Sequence, residues 1–81
     1  MDRTDQLLSF IRDHLASDPA SVKDAQQSLI RTGIIDSFAL VELGLFIEEE
    51  FGVHVPDPDL TVANFDTVQL AVKTIDKHGA R

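Results

Sequence analysis

The run SFALVELGLFIEEEF, Ser37 to Phe51, limits the fold more than any other stretch. Leu40, Leu43, Gly44, Ile47 and Phe51 recur at the spacing of one helix face, an ordinary core stripe. Gly52 follows, as a helix end wants. Two other segments carry the same period. RTDQLLSFIRDHLAS sets Leu7, Leu8, Ile11 and Leu15 on one side, predicting a helix over about Thr4 to Ala16. Thr4 or Asp2 could cap it, and Asp18 to Ala20 end it. DTVQLAVKTIDKH predicts a last helix with Val68, Ala71, Val72 and Ile75 inward. Asp66 is its expected cap, with Gln69 three residues on as in a capping box. Lys73, Lys77 and His78 lie towards its end, where cations suit the dipole.

The segments between are irregular. Ser17 to Asp36 is a long connection with an expected helical turn near Asp24 to Ser28. Leu29, Ile30, Ile34 and Ile35 can pin it to a core, and Gly33 marks a turn. VHVPDPD is extended or irregular because of its prolines, and LTVANF makes one short helical turn. The expected fold is all-α: one domain over 1–81, a small helical bundle with a long loop.

Composition narrows the function. With 81 residues the chain builds one small domain, which leaves little room for a large catalytic cavity. Its net charge of −7 repels phosphate backbones, so no nucleic acid is expected, and favours basic partner surfaces. The plainer reading of that charge is solubility. The absence of cysteine removes disulfides, thiolate metal sites and a cysteine nucleophile, and fits a reducing cytoplasm. The first residues lack the apolar run of a signal peptide. No apolar stretch approaches the roughly 20 residues of a membrane span, so no membrane insertion is expected.

The unusual feature is a second face on the Ser37–Phe51 helix. At about 100° per residue, Phe38, Val41 and Leu45 fall beside Ser37 and away from the core stripe. Glu42, Glu48 and Glu49 share that sector. Such a patch is poor core and a good interface. Packing of Phe38 and Leu45 under the long loop is the competing reading. Phe46 lies on a third side, towards the first or last helix. Gly44 either permits close packing or leaves room for a group tucked into the bundle. Ser37 is either a helix cap or a chemical handle, and Asp36 is an equally good cap.

Other chemistry fails on spacing. DPDLTVANFDTV begins like a calcium loop, but Val62 and Val68 stand where glycine and glutamate are required. His14, His54 and His78 have no ligand-like spacing and read as surface residues. No nucleophile elbow surrounds Ser37, which argues against a Ser37–His54 catalytic pair.

With these residues in view, DSFALVELGLFIEEEFGVHVPD, Asp36 to Asp57, resembles the acyl and peptidyl carrier protein family. The family has an Asp-Ser-Leu helix start, an acidic helix end and a Pro-Asp turn. SLIRTGII resembles its approach loop and NFDTVQLAVKTI its final helix. The resemblance implies a four-helix bundle with a short third helix. It implies covalent 4′-phosphopantetheine, derived from coenzyme A, on Ser37 next to Asp36, and a carrier that does no chemistry itself. The implied partners are a phosphopantetheinyl transferase and an acyl- or aminoacyl-adenylating ligase or synthase. Their basic docking surfaces would meet Phe38, Val41, Glu42, Leu45, Glu48 and Glu49. Two residues, Ile34 and Ile35, separate Gly33 from the Asp-Ser pair, and Phe38 stands where leucine is commonest. The longer spacing is similar to D-alanyl carrier proteins and other stand-alone carriers rather than the fatty-acid-synthesis type. A cytoplasmic monomer is expected. The alternative is a non-carrier interaction module of the same fold, docking a basic partner through this face.

Overall fold

The three helical periods become four helices, with no strand among the described residues. The computed structural model describes residues 3–16 and 18–79. Helix α1 spans Arg3–Phe10 and runs on into a π-helical turn, Ile11–Leu15, closed by the Ala16 N–H on the Ile11 carbonyl at 2.8 Å. Helix α2 is Ala39–Phe51, α3 the single turn Val62–Phe65, and α4 Val68–Gly79. Thr4 lies inside α1 and so does not cap it, and Asp2 lies outside the described residues.

Gly52 ends α2 in the left-handed region at φ 66°, where a glycine has no Cβ to clash. Helix α1 runs antiparallel to α2: Arg3 lies over the Phe51 ring and Phe10 stacks on Phe46. It is also antiparallel to α4, because Arg3 pairs with Asp76. Gly79 at the end of α4 abuts Val53, just past α2; a Cβ there would come within 2.8 Å of Val53 Cγ2.

Leu7, Ile11, Leu43, Ile47, Phe65 and Ile75 are all 0% exposed and form the centre of the core, with Val68 and Ala71 beside them. Phe51 and Val72, expected in the core, are only half-buried. Phe51 sits on the last turn of α2, where the bundle ends and one side of its ring meets only the Arg3 guanidinium.

The long connection is pinned rather than loose. Val22, Leu29 and Ile35 are buried, and Ile30 and Ile34 pack against the core. Arg12 donates twice to the Val22 carbonyl, at 3.3 and 3.0 Å. A short 3-10 turn forms at Pro19–Ser21, where Asp18 accepts from the Ala20 N–H at 3.1 Å. The expected helical turn at Asp24 to Ser28 is instead a bend in which Asp24 accepts from the Gln26 N–H at 3.0 Å. Aspartate readily makes such local side-chain bonds in place of helix.

Asp66 is the second correction at a helix start. Thr67 caps α4, accepting from the Leu70 N–H at 3.0 Å, and the Ala25 carbonyl takes the Gln69 N–H at 2.9 Å. Asp66 turns the other way. Its carboxylate accepts from the Ser28 hydroxyl at 2.6 Å and from the Ile30 and Arg31 N–H groups at 2.9 and 3.0 Å. Its carbonyl accepts from the Leu29 N–H at 2.6 Å. One residue thus ties the α3–α4 junction to the approach to Ser37.

Candidate functional site

Ser37 stands on the turn that enters α2. Ala39 N–H reaches both the carbonyl and the carboxylate of Asp36, each at 3.1 Å, so Asp36 performs the cap. Leu40 N–H then bonds the Ser37 carbonyl and Val41 N–H the Phe38 carbonyl, at 3.2 and 3.3 Å. These tight first-turn bonds explain why the regular helix begins at Ala39 rather than Ser37. The Ser37 side chain is exposed, and its hydroxyl has no partner among the described residues. A reachable, uncommitted hydroxyl beside a helix start can take a covalent group. The positive end of the α2 dipole favours an anion such as a phosphodiester there.

The face below it is open. Phe38, Val41 and Leu45 are 84, 61 and 54% exposed, so they do not pack under the loop. Glu42, Glu48 and Glu49 are exposed among them. Glu48 lies 3.6 Å from His54 Nδ1, which offsets part of its charge whenever that imidazole is protonated. Beside this stripe runs a small groove of about 130 Å³, bounded by Val41, Gly44, Leu45, Glu48, Asp57 and Leu60. Leu60 packs directly on Gly44: a Cβ there would lie 3.2 Å from Leu60 Cδ2. The glycine therefore serves close packing.

His54 faces Glu48, and Glu48 is eleven residues beyond Ser37, about 16 Å along a helix. The structure therefore does not assemble a Ser37–His54 pair. No group of three or more potential metal ligands occurs among the described residues, and none of their helices is long and apolar enough to cross a membrane. His78, expected at the surface, is half-buried. Its Nε2 lies 2.7 Å from Asp59 Oδ2 but out of line for a hydrogen bond, so the contact is ionic when the ring is charged.

Asp66 supports the site from behind. Burial pushes its carboxyl up, but the Ser28 hydroxyl, the Arg31 and Ile30 N–H groups and the Arg31 charge outweigh it. The group is held below the ordinary carboxylate value. Its role was hidden because Asp66 and Thr67 are both competent caps. The deciding partner, Ser28, is 38 positions away.

No family model matches the chain. It is 35% identical over 79 residues to the acyl carrier protein of Zymomonas mobilis subsp. mobilis, covering 98% of this chain and 97% of that one. It is 33% identical over 70 residues to the acyl carrier protein of Thermobifida fusca, 86% of each chain. It is also 33% identical over 75 residues to the lincomycin biosynthesis protein LmbN of Streptomyces lincolnensis, 93% of this chain but 27% of that protein. All-α architecture, a pinned first loop and a short third helix define a carrier-type four-helix bundle. The chain belongs to the acyl carrier protein family.

Proposed function

We propose that the protein is a stand-alone carrier that holds acyl or aminoacyl cargo on a 4′-phosphopantetheine arm at Ser37. The observation that carries this reading is the exposed Ser37 hydroxyl, left without a partner because Asp36 does the capping. Membership of the acyl carrier protein family supports it. When bound, the arm supplies the thiol on which cargo is held as a thioester. The chain's own residues present the hydroxyl, keep the helix closed beneath it and offer a docking face. A partner transferase has to activate the hydroxyl towards coenzyme A, since no base stands near enough in sequence to do so from within the turn. The carrier itself is non-catalytic on this reading.

Glu42, Glu48 and Glu49 steer basic partners, and Phe38, Val41 and Leu45 hold them by short-range contact. The cargo-loading partner is an adenylating ligase or a synthase. The approach loop, with Ile34 and Ile35 between Gly33 and Asp36, supports the stand-alone, D-alanyl-carrier-like type.

The chain has no cysteine, so it provides its own test. After incubation with a promiscuous phosphopantetheinyl transferase and coenzyme A, the purified protein should gain one maleimide-reactive thiol. Ser37→Ala should gain none. If the wild type gains no thiol under conditions that modify a known carrier, the reading falls, and the interaction-module alternative takes its place.

A further inference from the structure

A second groove, of about 270 Å³, lies on the opposite side of the bundle from Ser37, between α1 and α2. Phe10 and Phe46 form its wall, stacked with centroids 4.0 Å apart and planes 13° from parallel. Asp13 stands on the α1 side and Glu50 on the α2 side. Both carboxylates are exposed and have no basic partner among the described residues. At about 100° per residue, Phe46 falls roughly 180° around the helix from Ser37, and Glu50 close by.

Two observations say what this groove fits. First, the chain already fills a neighbouring position of the same kind. The Arg3 guanidinium lies 5.8 Å from the Phe51 ring centroid while pairing with Asp76, and Phe51 meets Phe46 edge-on at 5.9 Å. A guanidinium, a phenyl ring and a carboxylate occur together there. The groove repeats the phenyl and the carboxylates without the guanidinium. Second, Asp13 and His14 sit on the π-helical turn, where one wide turn interrupts α1. Such turns recur at functional positions because they re-aim side chains. Here the turn brings His14 against Phe10, with centroids 5.1 Å apart, and places Asp13 at the groove.

We propose that this groove docks an arginine presented by a partner protein. A guanidinium is planar and weakly hydrated, so it can lie on the phenyl wall while its N–H groups reach Asp13 and Glu50. Lysine, a compact and strongly hydrated charge, fits this wall less well. The partner that docks here leaves Ser37, Phe38, Val41 and Leu45 uncovered. For a carrier, whose role rests on the reading of Ser37 above, one protein can hold the back of the bundle while another works on the arm.

The test uses the full-length, ¹⁵N-labelled chain titrated with the dipeptide acetyl-Arg-Arg-amide and, in parallel, acetyl-Lys-Lys-amide. The arginine peptide should shift amides around residues 6–14 and 46–50 saturably and more tightly than the lysine peptide. Asp13→Asn with Glu50→Gln should weaken it on the order of five- to tenfold, as expected for two rim charges. At saturation the peptide should leave the rate of thiol gain at Ser37 unchanged. The proposal is overturned if shifts centre on residues 38–45, if both peptides bind alike, if the double variant binds like wild type, or if no saturable shift occurs. Each of these outcomes is independent of whether Ser37 is modified, because the amide shifts are read on the unmodified chain.

Discussion

At the residue scale, two side chains divide the labour that one was expected to do. Asp36 caps α2, so Ser37 is free for chemistry; Ser37→Ala should therefore leave the helical circular dichroism and melting temperature nearly unchanged. A large loss of stability would show that the hydroxyl has a structural role. Asp66 is the converse case, an acid expected to cap and used instead to moor a loop. Its folded pKa lies below the ordinary value of 3.8, so its contribution to stability is complete above that pH. The contribution is lost as pH falls through the depressed folded value. Asp66→Asn keeps the shape and removes the charge. It should cost roughly 1–3 kcal/mol at neutral pH, the range for hydrogen bonds to a charged group. Thermal melts of both proteins should converge in strong acid; a gap that stays constant down to that range would mean that the carboxylate charge is irrelevant.

At the scale of elements, legibility follows the length of the periodic signal. Helix α2 was readable almost residue by residue because thirteen consecutive positions obey one period. Helix α3 has four residues, too few for a period, and so Phe65, the largest fully buried side chain, gave no sign of its place. The exposure of Phe38, Val41 and Leu45 was readable as a second stripe, because a helix cannot turn two faces to one core. The π-helical turn was not, since it depends on packing around Ile11 rather than on a residue type that marks it. The error over Phe51 was positional: its period is right, but it sits where the bundle runs out. Phe65→Ala should consequently cost about 3–5 kcal/mol, and Phe51→Ala less than about 2 kcal/mol. Chemical denaturation of the two variants checks this; equal losses would put Phe51 back in the core.

At the scale of the whole molecule, the bundle is asymmetric in what it exposes. One side carries Ser37 with an apolar and acidic stripe, and the other a stacked aromatic groove. The stripe should act through both long-range and contact forces. Glu48→Lys with Glu49→Lys should slow modification most at low salt, with the difference fading as ionic strength rises. Loading as fast as wild type at low salt would leave those acids as solvated surface only. The central claim is more direct: that Ser37 is the attachment point. It is tested most simply by the intact mass of the chain after incubation with a promiscuous phosphopantetheinyl transferase and coenzyme A. Wild type should become heavier by about 340 Da, one phosphopantetheinyl group, and Ser37→Ala should keep its mass. A Ser37→Ala chain that still gains that mass would contradict the account.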